Sequence, residues 1–138
     1  MEQGTYWCPT LSVYLPEHEE DNTELRHRIV ASHRNVFQRA MKMGVRIVFG
    51  TDVGAFEHGT SAREFVRMVE YGMKPIDAIL SATVRGSELL RRERELGTIE
   101  PGKFADVIAV EGNPLDDIGT LGRVAFVMKA GQVYKSPR

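Results

Sequence analysis

The stretch Val45–Gly54, VRIVFGTDVG, ends an apolar, β-branched run on an aspartate set between two glycines. A short apolar run without polar alternation predicts a strand over Val45–Phe49 that is buried on both faces, as in a parallel sheet. Upstream, Thr23 is placed to cap a helix. In it Leu25, Ile29, Val36, Phe37, Ala40 and Met41 recur at helical spacing, and Gly44 closes it. Before that helix, Thr5–Ser12 (TYWCPTLS) predicts a strand whose pairing Pro9 limits. Pro16–Asn22 (PEHEEDN) reads as an acidic loop.

Downstream of Asp52, Ser61-Ala62-Arg63-Glu64 matches a capping box. Phe65, Val66 and Val69 line the helix it would start, and Gly72 stops it. Pro75 suits a first helical turn. Ile76, Ile79, Leu80, Thr83, Leu89 and Leu90 then predict one amphipathic helix, with Arg91–Glu95 as its solvated end. Leu96–Lys103 predicts a strand and then a Pro101-Gly102 turn. Asp106–Val110 predicts a strand that Asn113-Pro114 breaks. Val124–Met128 and Gln132–Lys135 flank Lys129-Ala130-Gly131 as a hairpin. The order is strand, helix, strand, two helices, then several strands, an α/β pattern.

Composition narrows the function classes. The 138 residues are 42% hydrophobic and 27% charged, enough for one packed core. The net charge of −1, with Lys and Arg spread along the chain, lacks the basic stripe of a nucleic-acid binder. The single cysteine, Cys8, excludes an internal disulfide framework or a cysteine-based zinc site. It reads as a buried, inert thiol. No apolar run is long enough to span a membrane, and a soluble cytoplasmic protein is expected.

Asp52 is the leading candidate for chemistry. A carboxylate just past a buried parallel strand lies on the face where α/β folds place their sites. Gly50 and Gly54 would let the backbone turn tightly around it. A second reading has Asp52 capping the following turn through local hydrogen bonds. Of the four histidines, His58 follows Asp52 by six residues and could reach the same pocket. His27 and His33 are six residues apart, roughly 240° around a helix axis, and cannot chelate one ion. His33 reads as a core or boundary residue, His27 as solvated, and His18 as part of the acidic loop. No serine elbow or phosphate-binding glycine loop occurs.

Taken together, GTDVG, KPIDAILSATVRGSELL, LGTIEPGKFADVIAVEGNPLDDI and the closing VMKAGQVYK resemble the C-terminal part of the amidohydrolase superfamily. The likeness is to the branch of imidazolonepropionases and metal-dependent prolidase-like dipeptidases. It implies a partial TIM-like barrel, its last two strand-helix units, in residues 1–95. Residues 96–138 would be strands of a small composite β-sandwich. Thr5–Ser12 would be the seventh barrel strand and Val45–Phe49 the eighth.

Asp52 then corresponds to the family's aspartate after the eighth strand, a ligand of a divalent metal, zinc by preference. That aspartate takes the proton of the metal-bound water that attacks substrate. His58 would touch substrate, while Lys103 and Asp106 would shape a sandwich turn. The family's other ligands, including a His-x-His pair, come from earlier strands and are not in this sequence. A zinc site needs three or four ligands, so the resemblance implies a fragment of a C–N-bond hydrolase that is inactive alone. It would bind no metal stably by itself and would need a complementing N-terminal barrel chain. The alternative is a non-catalytic oligomerising remnant or interaction module. Either way, open sheet edges predict a homo-oligomer, with strand exchange between copies as one route to it.

Overall fold

The computed structural model describes residues 4–15, 23–54 and 56–137. Residues 16–22, expected to form an acidic loop and including His18, lie outside them.

Tyr6–Trp7 (β1) and Arg46–Ile47 (β2) pair in parallel, Tyr6 opposite Arg46 and Trp7 opposite Ile47. The Val48 N–H carries the ladder one step on, donating to the Trp7 carbonyl at 3.0 Å. Helix α1 (Glu24–Lys42) makes the crossover between them. Both strands are shorter than the apolar runs predict. Pro9 has no N–H to donate, and Thr10 turns left-handed at φ 44°. The chain therefore leaves β1 and coils into a 3-10 turn, Leu11–Tyr14. With no partner beyond Trp7, β2 ends too. Ile47 and Val48 are buried, but Arg46 is exposed, so only part of the run has both faces covered.

Helix α1 starts where expected. The Thr23 hydroxyl oxygen accepts the Arg26 N–H at 3.2 Å. Arg39 and Lys42 sit in the last turn, where cations suit the helix dipole. Gly44, at φ 69°, reverses the chain and lets the Val45 N–H reach back to the Ala40 carbonyl at 3.0 Å. The buried stripe is narrower than predicted: Phe37 and Ala40 are buried, while Leu25 and Val36 are exposed. His33 is half-buried, with its ring over Tyr14 at 3.7 Å between centroids. His27 is exposed.

Helix α2 (Arg63–Glu70) begins without a capping box. Ala62 precedes it with no side-chain cap, and the Glu64 carboxylate points elsewhere, as described below. The next helix is two. Helices α3 (Pro75–Ala82) and α4 (Val84–Leu89) meet at Thr83, which leaves helical geometry at φ −114°, ψ −86°. At that break the Ser81 carbonyl accepts the Phe49 N–H at 3.1 Å, a bond to the extension of β2. The core packs Phe37, Ile47, Leu11, Met68, Tyr71, Met73 and Ala78 together, with Trp7 and Phe65 against them.

The last third is a separate three-stranded antiparallel sheet in the order β3 (Val107–Val110), β4 (Val124–Lys129), β5 (Gln132–Lys135). The hairpin falls where predicted, with Lys129 opposite Gln132. Asp106 holds its turn: its Oδ1 accepts the Ala130 N–H at 2.7 Å. The strand predicted from Leu96 is absent. Those residues form turns instead, with the Leu96 N–H bonded to the Arg92 carbonyl at 2.9 Å. Among the described residues, no helix is long and apolar enough to cross a membrane.

Candidate functional site around Asp52

The segment after β2 is held from two sides. Val48 bonds to Trp7 and Phe49 to Ser81, and the Phe49 ring stacks on Phe65 of α2 at 4.2 Å between centroids. The next residue must be glycine for a reason other than turning. A Cβ on Gly50 would lie 2.3 Å from the Cys8 sulfur, so the end of β1 occupies the space a side chain would need. The turn itself is made by Asp52, left-handed at φ 54°, and by Gly54 at φ 124°. Aspartate tolerates that conformation better than most side chains.

Thr51 is buried, and Asp52 emerges exposed. No hydrogen bond or ion pair engages its carboxylate among the described residues. The local-capping reading therefore has no bond to rest on. His58 is exposed on the same loop, and no hydrogen bond or ion pair joins it to Asp52 among the described residues.

Cys8 is exposed, not buried. Its sulfur nevertheless lies against Gly50, and that desolvation pushes the thiol pKa up. The charge of Glu64 adds to the rise, the Thr10 backbone N–H opposes it, and the charge of Asp52 adds a smaller push upward.

Glu64 is the residue that the capping-box pattern misassigned. It is fully buried, and its two carboxylate oxygens accept the Leu11 and Ser12 N–H groups, each at 2.7 Å. Those are the first free donors of the 3-10 turn that follows β1. Neighbouring Arg63 donates to the Ser12 carbonyl at 3.4 Å and lays its guanidinium over Phe56 at 4.2 Å. The first turn of α2 thus grips the loop after β1 while its Phe65 grips the extension of β2. Only an ionisable side chain beside an apolar run hinted at this, and the S-x-x-E spacing offered a commoner explanation.

Metal ligation is testable against the donors present. Asp52 offers one free carboxylate, a suitable hard ligand for a divalent ion. Among the described residues, no group of three or more His, Cys, Asp or Glu side chains converges. The described residues therefore do not make a metal site on their own.

With this geometry in hand, comparisons place the chain among known proteins. The sequence model described as "Amidohydrolase family" matches residues 1–134. Ochratoxinase from Aspergillus niger is 39% identical over 111 residues, covering 77% of this chain and 23% of the relative. The crystal structure of a Xaa-Pro dipeptidase with bound methionine superposes with a TM-score of 0.86 at 41% identity. It covers 98% of this chain and 36% of that one. A putative prolidase from Bifidobacterium longum gives a TM-score of 0.80 at 28% identity, over 97% of this chain and 36% of its own. The chain thus spans between about a quarter and about a third of these relatives.

Proposed function

The chain belongs to the amidohydrolase family, and from that premise we propose that it is the part of a metal-dependent hydrolase that carries the aspartate after the last barrel strand. In this reading residues 1–95 are barrel, with β1 and β2 its last two strands, and residues 96–138 belong to a small β-sandwich. The parallel β1–β2 pair, the α1 crossover and the position of Asp52 support it. The reaction is hydrolysis of a C–N bond in a small amide, cyclic amide or dipeptide. The Xaa-Pro dipeptidase and prolidase likenesses favour the dipeptide.

The observation that carries the proposal is the state of Asp52: exposed, left-handed and without a hydrogen-bonding partner among the described residues. A carboxylate in that state is free to hold a cation or to accept a proton. A divalent metal, when bound, would acidify the attacking water. The chain's own contributions are Asp52 as proton acceptor and ligand, the close packing of Cys8 on Gly50 just before the turn, and His58 as a substrate contact from the loop. In this reading the other ligands belong, as in the family, to earlier barrel strands, so the chain alone is inactive and a barrel polypeptide completes the site.

A second reading takes its support from the lack of a ligand cluster among the described residues: a non-catalytic module that folds and associates. Metal analysis separates the two. The zinc content of the chain is measured alone and after mixing with a barrel polypeptide that carries the His-x-His pair. The hydrolase reading requires zinc retained in the mixture and lost with Asp52→Ala. A mixture that retains none, or retains it equally without Asp52, contradicts that reading.

A further inference from the structure

Both strands of the parallel pair lead into a left-handed residue that is not glycine: Thr10 after β1, at φ 44°, and Asp52 after β2, at φ 54°. Because the strands run parallel, the two turns lie at the same end of the pair. Aspartate tolerates that conformation. A β-branched threonine is an outlier there, and such strain persists only where the surroundings impose it.

Glu64 supplies the restraint. Its carboxylate accepts the N–H groups of Leu11 and Ser12, the two residues that follow Thr10, each at 2.7 Å. Leu11, Ser12 and Glu64 are all buried, and Arg63 adds a bond to the Ser12 carbonyl at 3.4 Å. Burying a carboxylate costs more than burying an apolar side chain of similar size, so stability alone is a weak reason to hold a loop this way. What a carboxylate supplies and an apolar side chain does not is direction. Two charge-assisted bonds orient two successive amides, and with them the turn that precedes them.

That turn leads towards Asp52. The Thr10 N–H bonds to the Cys8 sulfur. The sulfur packs so closely on Gly50 that a Cβ there would lie 2.3 Å from it, and Gly50 stands two residues before Asp52. From the other side Phe65, next to Glu64, stacks on Phe49, the residue before Gly50. Residues 63–65 therefore hold the ends of both strands at the point where the Asp52 turn begins.

We infer that Glu64 is the positioning residue for Asp52: by holding the Thr10 turn it keeps the Cys8 sulfur on Gly50, and so sets where the Asp52 carboxylate stands. The inference rests on the hydrolase reading above. Glu64 itself touches neither substrate nor metal in it; it acts through the backbone.

Two measurements test this. The first is kinetic, in a chimera where this chain replaces the matching part of the Xaa-Pro dipeptidase. There Glu64→Gln, which keeps the shape and one acceptor oxygen, lowers kcat by about 10–100-fold and changes KM by less than about threefold. In the Asp52→Asn background the same change lowers the residual kcat by less than about threefold, because its effect passes through Asp52. A merely structural role would lower kcat by the same factor in both backgrounds, and that result overturns the inference, as does a kcat indifferent to Glu64→Gln. Turnover indifferent to Asp52→Asn overturns the hydrolase reading instead, and this inference with it. The second measurement needs no activity. In amide NMR spectra of the chain alone, Glu64→Gln moves the resonances of Gly50, Thr51 and Asp52 together with those of Leu11 and Ser12. Changes confined to the loop after β1 overturn the inference while leaving the hydrolase reading standing.

Discussion

The Glu64 Oε2 atom accepts the Ser12 backbone N–H at 2.7 Å, across 52 residues of sequence. With its twin bond to Leu11, it ties the loop after β1 to the helix after β2, on either side of Asp52. Both amides and the carboxylate are buried. Removing the carboxylate leaves two buried donors unpaired, so Glu64→Ala destabilises the chain by on the order of 3 kcal/mol. Glu64→Gln costs less, because its carbonyl still accepts one N–H. Urea unfolding reads both, and a loss under about 0.5 kcal/mol for Glu64→Ala would remove the clamp from this account.

Gly50 is required by the Cys8 sulfur, not by its own backbone angles. Gly50→Ala forces a methyl into contact at 2.3 Å and costs about 1–3 kcal/mol. Cys8→Ala removes the obstructing sulfur, so the same change costs clearly less in that background. A double-mutant cycle measures the coupling. Strict additivity would mean that the steric conflict lies elsewhere.

Cys8 reports on the charges around it. Its raised thiol pKa favours the neutral form, so alkylation by iodoacetamide follows a pH midpoint above that of a free thiol. The sign for stability follows: the contribution is full below the ordinary thiol pKa and is lost as pH rises through the raised one. Asp52→Asn removes one of the charges that raise it and moves the midpoint down. A midpoint unchanged by that substitution would show that Asp52 does not act on the sulfur.

Phe37 is fully buried and meets Trp7 and Tyr71 at ring distances of 6.2 and 6.3 Å. Phe37→Ala empties the junction of α1 with β1 and costs about 3–5 kcal/mol. A loss below 1 kcal/mol in urea unfolding would place the core elsewhere.

Much of this was readable before the structure. Thr23, Gly44 and the 129–131 turn act locally, through capping and backbone reversal, and local signals are what a sequence carries directly. The sequence also framed Asp52 with a strand end and two glycines, and the structure shows it exposed and left-handed there, while its role is the proposal made above. The misreadings of Glu64 and Thr83 share one cause, which is tertiary contact overriding a local pattern. Glu64 had capping spacing, yet two amides far away in sequence claim it. The apolar periodicity ran through Thr83, yet the helix breaks where Ser81 bonds to Phe49. Leu96–Ile99 had the composition of a strand, yet no neighbouring strand offers it a ladder among the described residues. Cys8 is exposed where a buried thiol was expected, and residue type alone does not say how a strand end is covered.

The central claim is that Asp52 is the working carboxylate of an amidohydrolase site completed from outside these residues. The direct measurement is made in a chimera in which this chain replaces the corresponding 36% of the Xaa-Pro dipeptidase. The account predicts hydrolysis of Xaa-Pro dipeptides by the chimera, with kcat reduced by about 10²–10⁴-fold on Asp52→Asn. A chimera that turns over equally well with asparagine at that position would contradict it.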